Sequence, residues 1–270
     1  MGMTELLAPP TGGRPITALD DGSGPTLMVV HPGGGDATSW DGVTRHLTGD
    51  FRVVRIRRRI YVPGADIALP HSMADEAADI VAIAELLKPP VLLVGHSSGA
   101  VAALEAALLA PGAFAGMFLY EPPVPTREPI AGAAGVRARA ALDAGDVVEA
   151  MRIHMRDIVR MPGATVDAMF DDRHLREAVC AAAHAQIADD EAIDALGVGT
   201  DRFAALTLPT TLVQGDLSPL HLRERLADLA AVLPDARVVT LTGQGHAAHL
   251  TAPGPLAGAI RETARQVLQS

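Results

Sequence analysis

The segment best suited to do chemistry is Gly95-His-Ser-Ser-Gly99. A serine hydroxyl is a weak nucleophile until a base takes its proton and dipoles steady the charge that develops. Gly-x-Ser-x-Gly meets both needs when a strand runs into it and a helix leaves it. Here the apolar run Val91-Leu-Leu-Val94 precedes the motif, and residues from Ser98 to Leu109 follow with helical periodicity. The glycines permit a sharp turn and close packing of helix on strand. Ser97 is then held clear of the sheet at a helix N-terminus, whose unpaired N–H groups favour an anion. Ser97 is the candidate nucleophile, and the backbone N–H of Ser98 a candidate oxyanion donor. The plain alternative is a Gly-Ser turn in which a serine caps the helix. His96 reads as a packing or pocket residue, because its place in the turn directs it away from the Ser97 hydroxyl. A second run, His31-Pro-Gly-Gly-Gly35, lacks the Gly-x-Gly-x-x-Gly spacing and the lysine of phosphate-binding loops.

These residues need a scaffold that brings them together. Apolar runs at 26–30, 51–56, 91–94, 116–120, 210–214 and 236–241 read as strands, most of them covered on both faces. Residues 16–19 read as an antiparallel edge strand. Helical periodicity runs through 72–87, 98–109, 220–233 and 256–268. The alternation predicts an α/β fold, a mostly parallel central sheet with helices on both faces. Between 122 and 208 the pattern breaks, with no convincing strand and much alanine. That length is too great for a loop in a compact domain. It predicts a helical lid of residues 122–208, inserted between two strands of a core formed by 1–121 and 209–270. Met151 and Met155 in this segment either line an adaptable apolar pocket or pack lid helices together.

The elbow, the early glycine loop and Gly243-Gln-Gly-His246 after the last strand together resemble the α/β-hydrolase superfamily, over nearly the whole chain. The resemblance implies that His246 is the general base, with His249 a nearby competitor. It implies that Gly33 gives the second oxyanion N–H, although Pro32 replaces the usual glycine of the loop. The family's acid usually stands last in a Gly-x-x-Asp segment, but here that segment is Gly215-Asp-Leu-Ser218. A serine cannot hold an imidazolium as a carboxylate does. Two substitutes remain. Glu121 follows the preceding strand and is fixed ahead of two prolines, and Asp216 lies in the expected loop. Glu121 is preferred, with Asp216 kept as the alternative.

Arg55, Arg57, Arg58 and Arg59 cluster at the end of a strand. They could anchor a substrate carboxylate or phosphate, or form a solvated patch on an acidic protein; the patch is preferred. Arg57, Tyr120, His96, Met151 and Met155 are carried as candidate substrate contacts. The formal net charge of −10 argues against a nucleic-acid partner. One cysteine, Cys180, excludes an intrachain disulfide framework. No signal segment or membrane span is evident, so a cytoplasmic protein with a small-molecule substrate is expected. Neither a cofactor nor a metal is implied; the three histidines between 122 and 208 have no compact ligand spacing. The leading expectation is a serine hydrolase that cleaves an ester or thioester through an acyl-enzyme. The alternatives are a C–C hydrolase, lyase or cyclase on the same fold, and a binding protein without activity. Ser97 argues against the relatives that use a carboxylate nucleophile.

Overall fold

The computed structural model describes residues 3–9, 15–62, 64 and 69–268. Its strands are β1 (Thr4–Ala8), β2 (Ile16–Gly22), β3 (Thr26–Val30), β4 (Arg52–Ile56), β5 (Val91–His96), β6 (Gly116–Tyr120), β7 (Thr210–Gly215) and β8 (Ala236–Leu241). They form one sheet in the order β1-β2-β4-β3-β5-β6-β7-β8. The first two pairings, β1 with β2 and β2 with β4, are antiparallel, and the rest are parallel. The sheet is mostly parallel with helices on both faces, as the alternation of elements predicts and as the resemblance to the α/β hydrolases implies.

The helices are α1 (Asp41–Leu47), α2 (Met73–Ala84), α3 (Ser98–Leu109), α4 (Gly132–Asp143), α5 (Val147–Ile153), α6 (Gly163–Asp171), α7 (Arg173–Ala181), α8 (Ala183–Asp194), α9 (Leu220–Val232), α10 (Ala248–Thr251) and α11 (Pro253–Leu268). Side chains alternate across each strand, so the central strands feed two cores. Met28, Val30, Val91 and Leu93 pack towards α2, α3 and α9, beside Ile80, Ala103 and Leu229. Leu27, Val29, Leu92 and Val94 pack towards α1 and α11, beside Trp40, Val43, Leu47 and Ile260. Each such Val or Leu contributes about 1.5–3 kcal/mol by leaving water. Helix α3 is apolar apart from Ser98 and Glu105, with Ala100, Ala102, Ala103, Ala106 and Ala107 fully buried. Alanine suits that place: it has the highest helix propensity and lets neighbouring backbones come close.

This connectivity locates the site. From β3 the chain passes over α1 to β4 on one side, then over α2 to β5 on the other. The crevice between the carboxyl ends of β3 and β5 is therefore a topological switch point, where open α/β sheets bind ligands. The His31-Pro-Gly-Gly-Gly35 run leaves β3 there, and the Ser97 turn leaves β5.

Between β6 and β7 the chain folds into the five helices α4 to α8. They share a core of Leu142, Met151, Ile153, Val166, Phe170 and Ile187. Helix α8 joins it to the sheet: Ala183 and Ile187 belong to that core, whereas Ala192 and Ile193 pack into the sheet's. No helix among the described residues is long and apolar enough to cross a membrane.

Candidate active site

Ser97 sits at φ 53°, in a left-handed conformation that few residues with side chains adopt. Its neighbours impose this. A Cβ on Gly95 would lie 2.5 Å from Ala100 Cα, and one on Gly99 would lie 2.3 Å from the His31 carbonyl oxygen. Only glycine lets α3 meet the strands this closely. The Ser97 amide donates to the Tyr120 carbonyl at 2.9 Å, which pins the turn to the end of β6.

Ser97 Oγ is 3.0 Å from His246 Nε2, across 149 positions of sequence. The other ring nitrogen, Nδ1, is 2.5 Å from Glu121 Oε2. Glu121 is completely buried and also left-handed, at φ 46°. Its amide donates to the Val213 carbonyl at 3.0 Å, and its other carboxylate oxygen accepts the Gly215 N–H at 2.7 Å. The backbone and the carboxylate of Glu121 are thus each fixed by a neighbour before the carboxylate meets the imidazole. A hydrogen on Nδ1 would point at Glu121 and leave Nε2 facing the Ser97 hydroxyl. His246 and Ser97 are both partly exposed, so the pair can be reached from outside.

Asp216 points elsewhere: Oδ1 accepts the Gly243 N–H at 2.7 Å and steadies the turn after β8. Ser218 is buried, its hydroxyl without a partner among the described residues. His249, the competing base, is also buried, against His96. Burial, and then the nearby His246, lowers its pKa to about 4, so it stays neutral.

His96, read as a packing or pocket residue, and Tyr120 are both candidate substrate contacts, and the structure places them beneath the loop of His246. Both are buried and stacked, with ring centroids 4.5 Å apart. His96 Nε2 donates to the His246 carbonyl at 3.0 Å. Tyr120 Oη donates to the Gly245 carbonyl and accepts the Ala248 N–H at 3.2 Å. The pair clamps the loop that carries His246. Met151 and Met155 pack in the core of the inserted helices and line no described cavity. Arg57 lies 3.6 Å from Glu5 at the sheet edge.

The arginine run is not a solvated patch either. Arg55 is buried and bonded to Asp21 and Asp41, and Arg59 pairs with Asp79. Arg58 is entirely enclosed. A signal for it lay in the sequence. Glu76 shares the helix face of Met73, Ala77 and Ile80, and an acid there must find a cation when buried.

A cavity of about 760 Å³ opens beside the glycine loop. Gly34, Gly35, Ile60 and Tyr61 form one wall, and Ala182 and Ala185 part of the other. Ser97 and His246 do not line it. Among the described residues no group of three or more His, Cys, Asp or Glu side chains is placed to hold a metal ion.

Sheet order, elbow and the Ser97–His246–Glu121 arrangement define the α/β-hydrolase class. A sequence profile of the alpha/beta hydrolase family matches residues 27–259, and the chain belongs to that family. A curated relative, the pimeloyl-[acyl-carrier protein] methyl ester esterase of Methylococcus capsulatus, is 39% identical over 102 residues. That match covers 36% of this chain and 37% of the relative, so the chain spans little more than a third of that protein's length. An alpha/beta hydrolase from Sphaerobacter thermophilus has a similar structure, with TM-score 0.82, 27% identity and coverage of 95% of this chain and 99% of that one. A thermophilic esterase from Thermogutta terrifontis shares the fold at TM-score 0.70 and 23% identity, covering 99% of this chain and all of that one. Two of these similar proteins are named esterases.

Proposed function

We propose that the protein is a serine esterase or thioesterase that cleaves a small acyl compound through an acyl-enzyme. The observation that carries this reading is the line Ser97 Oγ, His246 and Glu121, with contacts of 3.0 and 2.5 Å. Ser97 Oγ attacks the substrate carbonyl carbon while its proton passes to His246 Nε2. The C=O bond opens to a tetrahedral oxyanion, held by the backbone N–H groups of Gly33 and Ser98. Glu121 steadies the imidazolium, which then gives the proton to the leaving alcohol or thiol as the C–O or C–S bond breaks. Water, deprotonated by the same imidazole, attacks the acyl-enzyme and releases the acid. The esterase name of the partial relative supports an ester substrate. The cavity beside the glycine loop mixes alanines with Asp36, Arg139 and His184, a lining that suits a substrate with both an apolar and a polar part.

A fluorophosphonate probe should label the wild-type protein at Ser97 and leave Ser97→Ala unlabelled. With p-nitrophenyl butyrate as reporter, Glu121→Gln should lower kcat by about 10³–10⁴, because the imidazole loses both its tautomer and its counter-charge. Asp216→Asn should retain most activity. Labelling elsewhere than Ser97, or a loss confined to Asp216→Asn, would sink the assignment.

A further inference from the structure

Arg58 is a buried cation that the proposed reaction leaves without a task. Its guanidinium is fully enclosed and joins three helices. Nε donates to Glu76 Oε2 of α2 at 3.0 Å, Nη1 to Ser98 Oγ of α3 at 2.8 Å, and Nη2 to Asp189 Oδ1 of α8 at 2.6 Å. Its amide donates to His31 Nε2 at 3.3 Å, and His31 Nδ1–H donates to the Pro32 carbonyl at 2.8 Å. One residue therefore touches Ser98 with its side chain and holds the loop of Gly33 with its backbone. The inserted helices join the same arrangement. Tyr61 Oη donates to Asp189 Oδ2 at 2.8 Å. A Cβ on Gly33 would fall 2.5 Å from Gln186 Oε1 and 2.8 Å from Tyr61 Oη, so those polar tips press directly on this glycine.

Stability does not account for such a cluster. Removing a guanidinium and two carboxylates from water costs more than surface pairing returns, and apolar replacements of similar volume often do as well or better. What a cluster bonded to three helices supplies is fixed geometry. An oxyanion hole needs that, since its donors must lie about 2.7–3.1 Å from an oxygen that exists only during reaction.

We propose that Arg58 is a positioning residue for the oxyanion hole, setting the N–H groups of Ser98 and Gly33 relative to one another, and that Asp189 makes this setting depend on the docking of α8. The inference rests on the serine-hydrolase reading above. Two variants test it. Ser98→Ala keeps the backbone N–H but removes the hydroxyl that Arg58 holds, and Asp189→Asn keeps shape while removing charge. Each is assayed on p-nitrophenyl butyrate and on its thiono analogue, in which sulfur replaces the carbonyl oxygen. Sulfur accepts hydrogen bonds poorly, so an intact hole favours the oxygen ester strongly and a disordered one much less.

The expected result is a fall in kcat on the oxygen ester of about tenfold to a hundredfold, as for a displacement on the order of 1 Å. KM should change little, and the oxygen-to-thiono ratio should shrink towards one. A merely structural role lowers both substrates alike; an unchanged ratio, or an unchanged kcat, overturns the proposal. If Asp189→Asn fails to fold, Ser98→Ala decides alone, since it removes a single hydroxyl. Failure of the wild type to take a fluorophosphonate at Ser97 would instead remove the underlying reading, and the proposal with it.

Discussion

Ser97 and Glu121 both carry side chains in left-handed backbone, at φ 53° and 46°. Such residues cost on the order of 1–3 kcal/mol each and persist where their surroundings over-determine them. For Ser97 the surroundings are the Gly95 and Gly99 contacts, and for Glu121 the bonds to Val213 and Gly215. Ser97→Gly should therefore abolish ester turnover and raise stability by about 1 kcal/mol, after the extra backbone entropy of glycine is subtracted. Thermal denaturation beside a turnover assay checks both, and a lower midpoint would contradict the strain argument. At this scale the sequence was unevenly informative. Ser97 stood out because its motif is local. Glu121 and Asp216 could not be separated by pattern, since both leave strand ends at the same edge of the sheet. Only the register of β6 on β7, with Tyr120 opposite Val213, sets Glu121 beside Gly215 and under His246.

Among elements, legibility followed burial. The central strands are mostly apolar runs and match their predicted bounds within about two residues, as do α3 and α9, while α2 ends three residues before its predicted end. Strand β1 was missed: Thr4-Glu-Leu-Leu-Ala8 is mostly exposed and lies at the sheet edge, so little in its pattern demands a strand. Helix α1 was missed because seven residues give scarcely two turns of periodicity. The alanine-rich, strand-free sequence between β6 and β7 points to helices there, and their internal ties leave no such pattern. Asp194, near the end of α8, accepts the N–H groups of Ile130 at 2.6 Å and Gly132 at 2.8 Å, so it caps the entry to α4. Asp194→Ala should cost about 1–2 kcal/mol, the usual loss of a helix cap. The loss should appear as faster hydrogen exchange in α4, with α3 unchanged; equal acceleration in both helices would mean the cap acts globally.

Burial holds three imidazoles of the molecule neutral, those of His31, His96 and His249. Burial, and then the adjacent Arg58, lowers the pKa of His31 to about 4, as burial and His246 do for His249. In the unfolded chain both should titrate near the ordinary 6.5. Below that pH the unfolded chain takes protons that the folded protein refuses, so stability is complete above about pH 6.5 and declines as pH falls towards 4. Each such histidine removes up to about 1.4 kcal/mol per pH unit in that window. Denaturant titrations at pH 7, 6, 5 and 4.5 should show the decline, and His249→Gln should flatten it; a stability independent of pH over this range would refute the account.

The Arg58 cluster also bears on how the protein could be cut down or recombined. Asp189 reaches Arg58 from a helix that the chain adds between β6 and β7. A shortened version lacking that helix would leave an interior guanidinium with one carboxylate fewer, and grafting a relative's helices in its place would do the same unless the graft brought an acid to that spot. The extra helices cannot be swapped like an accessory, because half of an internal charge balance travels with them.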